Sequence, residues 1–79
     1  MTQDLTPTEL HVLELISEGY NNDAIAGLLF MSIKTVEHHS NNIYSKLEIS
    51  EDRNKRVMAM RHYLIYEGLI KEENNGKNA

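Results

Sequence analysis

The chain of 79 residues contains no cysteine and no tryptophan, and it has one proline, one phenylalanine and four glycines. Without cysteine there is no disulfide staple, no thiolate zinc site and no thiol nucleophile. Long apolar runs are missing too. The longest, such as Leu28 to Met31 and Val57 to Met60, fall far short of the ~18–20 residues that cross a bilayer, and the N-terminus lacks a signal-peptide pattern. These absences point to a protein of the reducing cytoplasm with no membrane partner. So short a chain makes one small domain that buries only roughly 60% of its unfolded surface. It has little room to fold and also wall off a substrate pocket, which argues against an enzyme.

Positive charge is absent from the first thirty residues. They carry Asp4, Glu9, Glu14, Glu18 and Asp23 and no Lys or Arg. Residues 34–61 reverse the balance, with Lys34, Lys46, Arg53, Lys55, Arg56 and Arg61 against Glu37, Glu48, Glu51 and Asp52. The formal net charge of −4, taken alone, argues against a nucleic-acid partner. The polarised distribution makes that total misleading.

Apolar spacing predicts an all-α fold of four helices within a domain over residues 1–70, followed by a disordered polar tail over 71–79. Thr6-Pro7-Thr8-Glu9 reads as a helix start, with Thr6 as cap, Pro7 at the first helical position and Glu9 completing a capping box. Val12, Leu13 and Ile16 continue at helical spacing, with Leu10 and Leu15 beside them, and Gly19 is the expected stop, giving helix one near 7–18. Asn22 is the expected cap of a short second helix over 23–30, whose Ile25, Ala26, Leu28 and Leu29 form its apolar face. Two turns do not stand alone in water, so packing must hold it. Met31-Ser32 is the turn out. The third helix, 33–47, directs Ile33, Val36, Ile43 and Leu47 inward. Its other face shows Lys34, Thr35, Glu37, His38, Asn41, Ser45 and Lys46. That face is polar but weakly charged, and Asn and Ser are poor helix formers, so something other than helix stability selected them. After a polar connector, a fourth helix runs from Asp52 or Arg53 to Glu67, with Gly68 as stop. Val57, Met58, Met60, Leu64 and Ile65 cover a wide arc of it, flanked by Tyr63 and Tyr66, which is more apolar surface than one face of a small bundle buries.

A short helix, a tight turn at 31–32 and a polar-faced helix form a helix-turn-helix candidate, in which small Ala26 and Val36 allow a close crossing. Four blocks sharpen this pattern. They are Leu5-Thr6-Pro7-x-Glu9, Gly19-x-x-Asn22-x-x-Ile25-Ala26, Ser32-x-Lys34-Thr35-Val36-x-x-His39 and Asn42-Ile43-x-x-Lys46-Leu47. In that order, and without gaps from Leu5 to Leu47, they resemble the LuxR/FixJ/GerE family of bacterial DNA-binding domains. The resemblance implies a four-helix domain in a transcription regulator, often the output end of a response regulator or quorum sensor. Helix three enters the major groove of double-stranded DNA, and helix four mediates homodimerisation.

Carried over by position, the resemblance makes Ser32, Lys34 and Thr35 phosphate contacts, with Lys46 a second such contact further along. A helix N-terminus beside a cation suits that role physically. Glu37, His38 and Asn41 fall where family members meet base edges. Asn41 can pair bidentately with adenine, Glu37 can accept from cytosine N4, and His38 can donate to guanine or pack on a thymine methyl. His39 and Asn42 fall at positions shared between phosphate contact and bracing of the turn. Val57, Met60, Tyr63 and Leu64 are the expected dimer contacts. The family usually carries a basic residue where Thr8 and Glu37 stand, and often Gly or a base at Glu48. Each lost cation lowers salt-dependent affinity, so a single domain should bind weakly and two half-sites should be needed. Beyond Leu47 the resemblance blurs, and Arg56-x-x-Ala59 matches the family's opening of helix four only with about four residues inserted.

Other readings of the same residues remain open. His38 and His39 are adjacent, hence about 100° apart on a helix, and cannot chelate one ion together, so neither a metal nor any other cofactor is expected. Ser40 beside His39 is sequence adjacency, not a nucleophile–base pair. Asp4, Asp23 and Asp52 are too scattered to form a phosphoacceptor pocket, which leaves signal input to another part of a larger assembly. The acidic face of helix one is either solvated surface or a docking site for RNA polymerase or an N-terminal regulatory domain. The alternative to DNA binding is a helix-turn-helix fold used as a protein-interaction module, supported by the net charge and by Glu37.

Overall fold

A computed structural model describes residues 5–68. Among them are four helices, α1 (Pro7–Ser17), α2 (Asn22–Leu29), α3 (Ile33–Lys46) and α4 (Lys55–Tyr66), and no strand. The expected polar tail lies outside the described residues.

Each helix starts on a side chain that accepts a backbone N–H which has no partner inside the helix. At α1 the capping box forms as expected, with Glu9 N–H donating to Thr6 Oγ1 at 3.1 Å and Thr6 N–H donating to Glu9 Oε1 at 3.0 Å. At α3, Thr35 N–H donates to Ser32 Oγ at 3.1 Å. Two starts differ from expectation. The cap of α2 is Asn21, whose Oδ1 accepts from Ala24 N–H at 2.9 Å. Both neighbouring asparagines can cap, but Asn22 is engaged elsewhere, its Oδ1 accepting from Arg56 of α4 at 2.8 Å. The start of α4 is later than Arg53, because Asn54 caps it by accepting from Val57 N–H at 3.1 Å.

All four helices end on a residue with left-handed backbone. Gly19 (φ 96°) and Gly68 (φ 76°) serve α1 and α4, as their lack of a Cβ favours. Phe30 (φ 56°) and Glu48 (φ 57°) serve α2 and α3, where left-handed backbone costs a residue with a Cβ roughly 1–2 kcal/mol. The same kind of hydrogen bond closes the first three ends. Tyr20 N–H reaches Leu15 O, Met31 N–H reaches Ala26 O, and Ile49 N–H reaches Tyr44 O, at 3.2, 3.0 and 3.1 Å.

α1 packs against both α3 and α4, and α2 packs against α3. The core is Val12, Leu13, Leu15, Ile16, Ile25, Ala26, Val36, Ile43, Leu47 and Ala59. Ala26 and Val36 are both buried, consistent with the close crossing of α2 on α3. Ile33, expected to face inward, is instead 44% exposed, because it sits at the first turn of α3, beyond the end of the core ridge. Leu28, counted to the apolar face of α2, is likewise 49% exposed. Two contacts tie distant parts of the chain together. Lys46 Nζ, near the end of α3, donates to Glu9 Oε1 of the α1 capping box at 2.7 Å. Arg56 of α4 donates to Asn22 Oδ1 and to the Tyr20 carbonyl, pinning the α1–α2 loop. No helix among the described residues is long and apolar enough to cross a membrane.

Candidate nucleic-acid interface

The phase of α3 builds the site. Its buried ridge is Val36, Ser40, Ile43 and, just past its end, Leu47. At about 100° per residue, the opposite stripe is Lys34, His38, Asn41 and Ser45, and all four are exposed. Because the ridge is held by α1 and α2, the stripe stands on a rigid support with no other described element packed over it. Glu37 is exposed on one flank. On the other flank lie Thr35, Asn42, Lys46 and His39.

Three of the flanking side chains have partners within the fold. Thr35 Oγ1 lies 2.9 Å from Ser32 Oγ, so the two hydroxyls share one hydrogen bond beside the N–H groups that open α3. Asn42 Nδ2 lies 3.3 Å from His38 Nε2, one helical turn away, a contact that holds the imidazole upright on the exposed face. Lys46, assigned to phosphate by resemblance, pairs with Glu9. Burial disfavours the charged form of Glu9, but the hydrogen bonds from Lys46 and the Thr6 backbone, with the charge of Lys46, outweigh it and hold the carboxyl below the ordinary 4.5.

His39 is half-buried, and its Nδ1 is enclosed without a hydrogen-bond partner among the described residues. That position suits bracing of the fold rather than contact with bases. The rings of His38 and His39 lie 5.9 Å apart and tilted. No group of three or more His, Asp or Glu among the described residues is arranged to hold a metal ion. Ser45 falls at an unmarked position of the four sequence blocks, although its spacing from Lys34, His38 and Asn41 (every third or fourth residue) makes it part of the stripe.

The fold thus presents a capped polar helix behind a short helix and a tight turn, and the sequence comparisons agree with it. Residues 3–60 match the bacterial regulatory proteins of the luxR family. The chain belongs to the luxR family. The match continues through the connector into α4, further than the blocks read from the sequence reach. Among individual relatives, the transcriptional regulatory protein LiaR of Bacillus subtilis is 44% identical over 63 residues, covering 80% of this chain and 30% of that protein. The response regulator protein VraR of Staphylococcus aureus is 43% identical over 61 residues, covering 77% of this chain and 29% of that protein. The chain therefore spans less than a third of the length of these relatives. The family is one of regulators and not a class of enzymes.

The expected dimer contacts are divided by the fold. Val57 is 56% exposed, and Leu64 is partly exposed on the same helix. Met60 and Tyr63 pack partly against the core. Burial raises the pKa of the Tyr63 hydroxyl, and the charges of Glu14, Glu67 and Glu18 add to the effect.

Proposed function

We propose that this domain binds double-stranded DNA sequence-specifically as the DNA-reading part of a cytoplasmic bacterial transcription regulator. In this reading α3 lies in the major groove and two copies pair through α4. The observation that carries it is the stripe Lys34, His38, Asn41 and Ser45, an exposed hydrogen-bonding face with a single cation, backed along its length by a buried ridge. Base edges are read by such neutral polar groups, while phosphates need cations and free N–H donors. Asn41, His38 and Glu37 are the base-reading set. Ser32, Lys34 and Thr35 hold phosphate at the start of α3, while Asn42 positions His38 and His39 braces the fold. Lys46 keeps Glu9 in place and lies further along α3 as the second phosphate contact. The names of the relatives support the regulatory role, and the greater part of their length, outside the match, supports signal input from a regulatory domain.

The test is selection of randomised duplexes by the purified protein at low salt, beside Lys34→Ala and Asn41→Ala. An enriched inverted repeat is expected. Lys34→Ala should weaken binding to every duplex and reduce the salt slope by about one, while Asn41→Ala should cost about 1–3 kcal/mol at one base position only. A folded, helical protein that enriches nothing, alone or joined to a dimerising domain, overturns the reading in favour of a protein-interaction module.

A further inference from the structure

Phe30 is the residue that burial and backbone preference explain least. It is the sole phenylalanine of the chain, it is 96% exposed, and its backbone is left-handed at φ 56° and ψ 48°. A glycine or asparagine would close α2 with less strain, and a polar side chain would sit better in water. Nothing inside the described fold gains from an aromatic ring there. Its place in the chain is informative. Phe30 precedes Ser32, whose hydroxyl caps α3, and Lys34, the cation of the α3 stripe. Leu28 and Ile33, both about half exposed, flank it, and the segment 28–33 carries no charge.

We propose that Phe30 is a DNA-backbone contact whose ring packs on a deoxyribose beside the phosphate held by Ser32 and Lys34. The proposal rests on the DNA-binding reading of α3. In that reading the first turn of α3 holds phosphate and the turns after it meet the bases, so the turn just before α3 stands at the rim of the groove, where the sugar–phosphate strand passes. Between phosphates that strand presents the C–H faces of its sugars, an apolar surface about the size of one ring. A phenyl group laid on it excludes water from the neighbouring lysine–phosphate pair, and an ion pair is stronger where water is excluded. A protein partner would call for a broad apolar patch with a polar rim. Here, along residues 28–34, exposed Leu28, Phe30 and Ile33 are interleaved with Ser32 and Lys34, which matches an alternating sugar–phosphate strand better than a broad patch. The contact reads no base, so it adds affinity to every duplex alike.

Because the chain has a single phenylalanine, protein grown with para-fluorophenylalanine gives one fluorine NMR signal at this position. Titrated with a selected duplex, that signal should shift along the binding isotherm and lose its exposure to a soluble paramagnetic quencher. Phe30→Gly should lower affinity roughly five- to tenfold, the scale of burying part of one ring, for selected and unselected duplexes alike and with an unchanged salt slope. Its melting temperature should hold or rise, because glycine accepts the left-handed backbone. Phe30→Leu should recover part of the affinity. A fluorine signal unmoved at saturating duplex, or wild-type affinity in Phe30→Gly, overturns this contact and leaves the DNA-binding reading standing. A wild-type protein that binds no duplex overturns both.

Discussion

At the scale of single residues, the informative positions are those where side chain and backbone disagree. Gly19 and Gly68 mark helix ends in the sequence because only glycine takes left-handed backbone freely, and both are stops in the structure. Phe30 and Glu48 occupy the same conformation without that signature, so no sequence rule announced them. Of these two, Glu48 is an exposed connector residue, and Glu48→Gly should stabilise the fold by a few tenths to about 1 kcal/mol, the relief of strain less the added flexibility of the unfolded chain. Urea unfolding checks this, and an unchanged or lower midpoint would show that the glutamate is compensated in place. The expected cap of α2 was Asn22, and the structure uses its neighbour Asn21. The choice between them came from Arg56, thirty-four positions away from Asn22, a distance over which no local pattern carries information.

At the scale of elements, α2 is too short to persist alone, and its eight residues are held by packing on α3 and by contacts at its ends. Arg56 reaches from α4 to the loop that opens it. Arg56→Ala should therefore lower stability by about 1.5–3 kcal/mol, the range for hydrogen bonds that involve a charged group, and should raise amide exchange in α2 before the rest of the fold. Uniform loss across all helices would show that the clamp serves only global stability. The Glu9–Lys46 pair plays the corresponding part for α1 and α3, and it depends on pH. The pKa of the Glu9 carboxyl is lowered in the folded state, so its stabilisation is fully present above the unfolded value and is lost as pH falls through the folded one. Glu9→Gln should be about 1–2 kcal/mol less stable at neutral pH, because the amide can keep the capping box but loses the charge-assisted hydrogen bond from Lys46. That difference should shrink as pH falls below the ordinary value of 4.5. A gap that stays constant down to strongly acidic pH would place the stabilisation in the shape of the side chain and not in its charge.

At the scale of the molecule, charge is distributed more tightly than the sequence total conveys. Of the cations in residues 34–61, Lys46 is paired with Glu9, Lys55 lies 3.0 Å from Glu51, and Arg56 is committed to the α1–α2 loop. With these side chains also engaged inside the fold, we expect weak, salt-sensitive DNA binding by a single domain and reinforcement by a second copy. The α4 surface provides a way to test the pairing. Met60 and Tyr63 serve the core as well, so charges placed there confound folding with association. Val57 is more than half exposed, and Val57→Glu should lower the sedimenting mass of the proposed dimer while leaving helicity and melting temperature unchanged. An unchanged mass would place the interface elsewhere.

The sequence by itself determined the four helices, three of the four helix starts to within a residue, the capping box at Thr6 and Glu9, and the polar face of α3. These come from local rules, in which apolar spacing sets the buried side and short polar or flexible residues set the ends. Family membership was legible as well, because its marks are ordered residues from Leu5 to Leu47. Tertiary structure decided the rest. It left Ile33 and Leu28 exposed at the margins of a small core, moved the opening of α4 to Asn54, paired Lys46 with Glu9, and selected Asn21 over Asn22 through Arg56. It also placed Phe30 outward on a left-handed turn. Each of these outcomes depends on which helices meet and where the core runs out, and those are properties of the assembled chain and not of any stretch of it.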